Sequence, residues 1–219
     1  MNKYSFETLK ERGRSVLVEK VTCPHCGTDV NAKSVNCIAA EDKVAIKKIL
    51  DRSFFNHKCS HCGKMFAADH GFDYVDEKKS IKISCTLDSV ASGEIEKVLL
   101  LGHDKNKKHA YRIYRVVNTI GEFREKYLAF EANIDDRLIE LIKLDLRLNK
   151  CSDCGEVQDI VFFGSNDNSL FFRAKGSKRA KAIYVTWDEY DMYYKKYVGK
   201  LNDDRDVVIN SSWAIENAF

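Results

Sequence analysis

One proline stands among 219 residues, at position 24, and no Pro- or Ser-rich linker divides the chain. Long apolar runs are lacking as well. The longest, such as Val98–Leu101 and Ile160–Phe163, fall far short of the roughly 20 residues that a membrane-crossing helix needs. The opening stretch, MNKYSFETLKERGRSVLVEK, contains no apolar segment of signal-peptide type. The expectation is a cytoplasmic protein with no membrane partner. Charge of one sign is not in excess either, with 36 Lys and Arg against 33 Asp and Glu, a formal net charge of +3. Catalytic frames are missing too: there is no G-x-S-x-G, H-E-x-x-H or G-x-x-x-x-G-K-[ST]. Acids and histidines are scattered, with no spacing that sets a base beside a nucleophile. Enzymatic activity is therefore not expected.

Cysteine, by contrast, is plentiful, with eight in the chain. Residues 22–27 read T-C-P-H-C-G and residues 58–63 read K-C-S-H-C-G. In a reducing compartment disulfides are disfavoured, so paired cysteines point to metal or redox chemistry. Two intervening residues let both sulfurs of a C-x-x-C turn point at one centre. Gly27 and Gly63 follow where the turn demands a backbone that glycine adopts most easily. Such turns also aim backbone N–H groups at the thiolates. Two facing turns make a tetrahedral Cys₄ cage, the closed geometry of structural zinc. The bland alternative, four buried free thiols, does not explain why the C-x-x-C-G frame occurs twice. Iron suits the same ligands, but zinc is the favoured ion. Its role is to hold structure, because four thiolates leave no coordination position for substrate. Lys20, Lys58 and Lys64 lie near in sequence and can offset the charge of the centre. Four thiolates on Zn²⁺ lower the net charge by two, to about +1, so charge alone argues for no partner.

The pairs Cys23-Pro24-His25-Cys26 and Cys59-Ser60-His61-Cys62, with SVNCIAAEDKVAIKKILDRSFFNHKC leading to the second, resemble the CpXC-domain proteins of bacteria. RIYRVVNTIGEFREKYLAFEANIDDRLIELIKL is similar to the strand–helix–helix portion of longer members. The resemblance spans residues 15–200 and is strongest in the ribbon. It implies a zinc-binding module at Cys23, Cys26, Cys59 and Cys62, and no assigned reaction or substrate. The second pair departs from the pattern in lacking proline, and Cys151 and Cys154 are no part of it.

That third pair, in C-S-D-C-G at 151–155, leaves four readings open. It can be a second metal site completed by His103, His109 or another local ligand. It can be a site shared across a two-fold dimer, a redox pair, or two ordinary thiols on a turn. Cys37 and Cys85 alternate with apolar neighbours, Val35 in one case and Ile81, Ile83 and Leu87 in the other. Both are expected in strand-borne core positions. His25 and His61, inside the knuckles, are expected to be exposed.

Two basic stretches, 103–112 and 173–181, are candidate nucleic-acid contacts. The second carries Arg173, Lys175, Lys178, Arg179 and Lys181 without an acid, at a hairpin tip. A solvated loop is the simpler reading of both. Tyr190, Tyr193, Tyr194 and Tyr197 recur at helical spacing, which suggests a core stripe or, if exposed, a subunit interface. The tail from Asp203, with Trp213 and Phe219, is expected to dock back or to bind a partner.

The patterning predicts an α+β fold: residues 1–88 an N-terminal zinc-ribbon-like β domain with a short inserted helix, 89–109 a boundary segment, and 110–219 helices on an antiparallel sheet. In the first part strands are expected at Val16–Val21, Asp29–Ile38, Phe54–Lys58, Lys64–Ala67, Phe72–Val75 and Ser80–Leu87. The helix falls at Glu41–Leu50 with Ile46, Ile49 and Leu50 inward. In the second, a strand at Tyr111–Val117 leads to a helix opened by Thr119-Ile-Gly-Glu122, with Ile120, Phe123, Tyr127 and Phe130 on one face. A helix from Asp135 or Asp136 to Leu148 buries Leu138, Leu141, Ile142 and Leu148. Strands at Val157–Phe163, Ser169–Ala174 and Ala182–Thr186 precede a helix opened by Thr186-Trp-Asp-Glu189. The function expected is a non-catalytic zinc-binding interaction module whose partner is a protein or nucleic acid, with homodimerisation open. The alternatives are thiol redox at Cys151 and Cys154, and nucleic-acid binding through the basic loops.

Overall fold

A computed structural model describes residues 9–11, 14–87, 111–149, 156–201 and 206–218 of the chain. The fold is mixed α+β and divides into two compact units, residues 1–120 and 121–219.

In the first unit, β1 (Leu9–Glu11), β2 (Arg14–Thr22) and β3 (Asp29–Val35) form an antiparallel sheet in that order. β4 (Cys37–Ala39), β7 (Phe72–Asp76), β8 (Ile81–Cys85) and β9 (Ile113–Val117) form a four-stranded mixed sheet, with β4 parallel to β7 and β8 parallel to β9. The β7–β8 hairpin turns where expected, and the Lys79 amide donates to the Asp76 carboxylate at 2.9 Å. A third, two-stranded sheet pairs β5 (Asn56–Lys58) with β6 (Met65–Ala67).

Between β4 and β5 lies α1 (Lys43–Leu50), capped by Asp42, whose carboxylate accepts from the Ala45 amide at 3.1 Å. It buries Ala45, Ile46 and Ile49. The strand expected from Phe54 begins later, because Ser53–Phe55 form a single 3-10 turn.

The strand expected over Asp29–Ile38 is broken at Asn36, and the burial pattern on either side of it corrects the reading of Cys37. β3 buries Val30, Ala32 and Ser34, so Val35 lies on the outer side. After the break Ile38 faces inward and Cys37 is exposed. Side chains in a strand alternate faces, and the even-numbered positions point inward on both sides of the break, so Cys37 falls with Val35 on the outer side. Cys85 is buried at the end of β8, as expected.

The second unit stacks helices on one face of a three-stranded antiparallel sheet, β10 (Val157–Ser165), β11 (Ser169–Gly176) and β12 (Ala180–Thr186). Ile160, Phe162, Leu170, Phe172, Ile183 and Val185 form its inner face. α2 (Ile120–Glu131) follows Thr119 directly and buries Ile120, Phe123, Tyr127 and Phe130 on the expected face. α3 (Asp136–Asn149) presents Leu138, Leu141, Ile142 and Leu146 to the core. Asp135 precedes it and accepts from the Arg137 amide at 2.9 Å. Leu148, expected inside, is 63% exposed in the last turn. α4 (Trp187–Tyr197) opens with the expected capping box between Thr186 and Glu189.

The tyrosine stripe divides along α4. Tyr197 is buried and Tyr190 and Tyr193 pack on the core, while Tyr194 faces out. Burial pushes the Tyr190 hydroxyl up to about 12. α5 (Ser211–Ala218) returns Trp213 to the core, its indole N–H donating to Asp206 at 2.7 Å. Among the described residues, no helix is long and apolar enough to cross a membrane.

Candidate metal centre

The pairs Cys23–Cys26 and Cys59–Cys62 each occupy the tip of a hairpin. β2 runs into Cys23 and β3 leaves after Gly27, and β5 and β6 flank Cys59 and Gly63 in the same way. The two tips repeat one hydrogen-bond scheme. The Cys23 amide donates to the Thr28 carbonyl at 3.0 Å and the Gly27 amide to the Cys23 carbonyl at 2.9 Å. In the second tip the Cys59 amide donates to the Lys64 carbonyl at 2.9 Å and the Gly63 amide to the Cys59 carbonyl at 3.0 Å. Gly27 at φ +70° and Gly63 at φ +73° take the left-handed conformation that closes the turn. The Cys62 amide lies 3.5 Å from the Cys59 sulfur, an N–H aimed at a ligand atom as the turn geometry requires.

The hairpins bring all four sulfurs together, each within 4.8 Å of the others. Across the tips, the Cys23 and Cys62 sulfurs are 3.8 Å apart and those of Cys26 and Cys59 are 3.7 Å apart. A disulfide needs about 2.05 Å, so these are free thiols poised around a common point. Four ligands on a tetrahedron with metal–sulfur bonds of about 2.3 Å stand about 3.8 Å from each other. The arrangement therefore fits a thiolate-bound metal ion.

Cys23 and Cys59 are buried with Val30 and Phe66, and Cys26 and Cys62 are half-buried. Hydrogen bonds from the Thr28 hydroxyl and amide bring the Cys26 thiol down to about 5. At Cys59 the Cys62 amide likewise lowers the thiol. Cys62 receives a lowering hydrogen bond from Lys64, yet desolvation and the neighbouring sulfurs raise it to about 11. The His25 ring N–H donates to the Met65 carbonyl at 3.1 Å and links the first tip to β6. His25 and His61 are exposed, as are Lys20, Lys58 and Lys64. A cleft of about 330 Å³ opens beside the centre between β2–β3 and the second hairpin, with Pro24, Phe66 and His57 in its wall.

The remaining candidate residues do not converge on this centre. Cys151, Cys154, His103 and His109 lie outside the described residues. Arg173 and Lys175 point outward from β11, Lys178 and Arg179 are exposed at the β11–β12 turn, and Lys181 is half-buried on β12.

Sequence reasoning missed a buried ionic cluster in the second unit. Lys126 lies 3.2 Å from Asp136 and 3.4 Å from Glu140, and Lys143 lies 3.0 Å from Glu125 and 3.1 Å from Glu140. Glu125 also accepts from the Phe162 amide at 2.9 Å. Burial raises its carboxyl despite the Lys143 cation beside it. Periodicity could not reveal this cluster, because its members belong to different helices and each looks like an ordinary solvated charge.

No curated protein and no solved structure matches the chain. The family model of the CpXC protein matches residues 21–143, a span that contains both cysteine hairpins. By that match, which covers more than half of its length, this chain belongs to the CpXC family.

Proposed function

We propose that the four-cysteine centre holds one structural Zn²⁺ and that the chain is a non-catalytic interaction module built on it. The observation that supports this reading is the pair of cross-tip sulfur separations, 3.8 and 3.7 Å, at the edge length of a zinc–thiolate tetrahedron. Four thiolates complete the coordination shell, so the ion neither activates water nor binds substrate. Its part is to join two hairpins whose own cores are small. Thiolates persist in a reducing compartment, which favours the cytoplasm.

Elemental analysis of purified protein, combined with gentle alkylation, tests the reading. The expected result is one zinc per chain, with Cys23, Cys26, Cys59 and Cys62 protected until the metal is stripped. A fast-reacting Cys151 that cycles with a disulfide to Cys154 would support thiol redox instead. Purified protein without bound metal would overturn the proposal.

A further inference from the structure

The sheet of the second unit has an outer face that its core does not use. Phe163, Phe171 and Tyr184 stand there in a row, one on each strand. Phe171 is paired in register with Tyr184, and Phe163 sits at the bulge before Gly164. Ring centroids are 6.1 Å apart for Phe163 and Phe171 and 5.6 Å apart for Phe171 and Tyr184. Tyr184 is 62% exposed and Phe163 44%.

The same face of β11 continues with Arg173 and Lys175, both exposed. Among the described residues, neither side chain has an ion-pair or hydrogen-bond partner. Asp159, opposite Lys175, is the acid on this face, and Lys178 and Arg179 extend its positive end at the turn.

Rings beside Arg173 and Lys175 suit a ligand that offers both flat aromatic faces and negative charge. Nucleobases stack on aromatic side chains whatever their sequence, while the phosphates follow neighbouring Lys and Arg. Besides the rings, the face offers Val161, Ala180 and Ala182. A duplex hides the faces of its bases, so the rings select unpaired strands.

We propose that the outer face of β10–β12 binds single-stranded nucleic acid, with bases on Phe163, Phe171 and Tyr184 and phosphates drawn by Arg173 and Lys175. This names a partner for the interaction module. It does not depend on the metal, because every residue involved belongs to the second unit.

The test uses the full-length, metal-loaded chain and fluorescein-labelled oligo(dT), oligo(U) and a duplex, each of about a dozen nucleotides, followed by fluorescence anisotropy. The single strands should bind, more weakly as salt rises from about 50 to 200 mM, and the duplex should bind at least about tenfold more weakly. A preference between oligo(dT) and oligo(U) tells whether DNA or RNA is the source. Tyr184→Ala and Phe163→Ala should each weaken binding by roughly 5- to 100-fold, and Tyr184→Phe should retain it. Arg173→Gln and Lys175→Gln should each flatten the salt dependence by about 0.7 in the log–log slope.

Tryptophan fluorescence and thermal melts report whether each variant is folded. If Phe163→Ala unfolds at its bulge, the more exposed Tyr184 carries the test. Three results overturn the proposal: no binding to either single strand, equal binding to the duplex, or binding indifferent to Tyr184→Ala in a folded protein. Ring substitutions that dissolve a homodimer while leaving anisotropy unchanged would overturn it as well. The metal content of the same preparation is measured separately, so loss of the zinc reading and loss of this one are distinguishable.

Discussion

The sulfur of Cys26 stands 3.7 Å from that of Cys59, and these residues belong to different hairpins. Cys23 and Cys62 make the matching contact at 3.8 Å. Each tip thus reaches across to the other twice, along opposite edges of one tetrahedron. Neither hairpin holds enough ligands alone. A metal bound here closes the intervening chain, including α1 and β4, into a loop anchored at both ends.

Metal removal should therefore loosen the first unit selectively. A structural zinc centre contributes on the order of 10 kcal/mol, more than a small β-ribbon holds in reserve. After chelation, hydrogen exchange should accelerate across residues 20–70, while the inner strands of β10–β12 keep their protection. Full protection of residues 20–70 in stripped protein would refute the structural role.

Substitutions separate ligands from bystanders. Cys59→Ser should abolish metal binding and reproduce the effect of chelation. Cys37→Ala, at an exposed position, should change stability by no more than about 0.5 kcal/mol. Denaturant titrations on both variants check this, and equal losses would contradict the assignment.

The cysteine tips were legible because each is local in sequence: pair, spacing and glycine all fall within six residues. The capping box of α4 was legible for the same reason. Cys37 was not, because alternation puts it on one face with Val35 but does not say which face is turned inward. The pairing of β9 beside β8 joins segments on either side of residues 88–110, which no local pattern announces. The outer aromatic row did leave a trace. The doublets Phe162-Phe163 and Phe171-Phe172 each set one ring inward, so in a two-layer unit the other must face out.

Acid should release the metal in two stages. Zinc binds thiolates, so every cysteine that is still protonated in the metal-free protein must give up its proton on binding. Cys62, raised to about 11, is protonated at neutral pH, so affinity should rise about tenfold per pH unit for that proton. Cys26, held near 5, is already ionised at neutral pH and opposes binding only below that value. The dependence should steepen as pH falls through 5. Competition with a chromophoric chelator across pH measures the slope, and a flat profile from pH 6 to 8 would refute this ordering.

At the start of α4 the Thr186 hydroxyl accepts from the Glu189 amide at 3.2 Å, and Glu189 accepts from the Thr186 amide at 2.8 Å. Thr186→Ala removes half of that exchange and should cost about 1 kcal/mol. Thr186→Ser should restore most of it. A Thr186→Ala chain that melts like the parent would show that packing of Tyr190, Tyr193 and Tyr197 alone fixes the helix start.

Lys126 is the most exacting position in the second unit, because its ammonium and the Asp136 and Glu140 carboxylates beside it are all withdrawn from water. Lys126→Met keeps much of the side-chain volume but leaves Asp136 without this cation and gives Glu140 only Lys143. Removing one partner of a buried pair costs about 3–5 kcal/mol, since the stranded charge stays desolvated. Adding Asp136→Asn removes that stranded charge and should recover a large part of the loss, so the double variant should be more stable than Lys126→Met alone. Urea titrations of both variants decide the matter. A Lys126→Met chain within about 0.5 kcal/mol of the parent would mean that water reaches the cluster and that its burial has little energetic consequence.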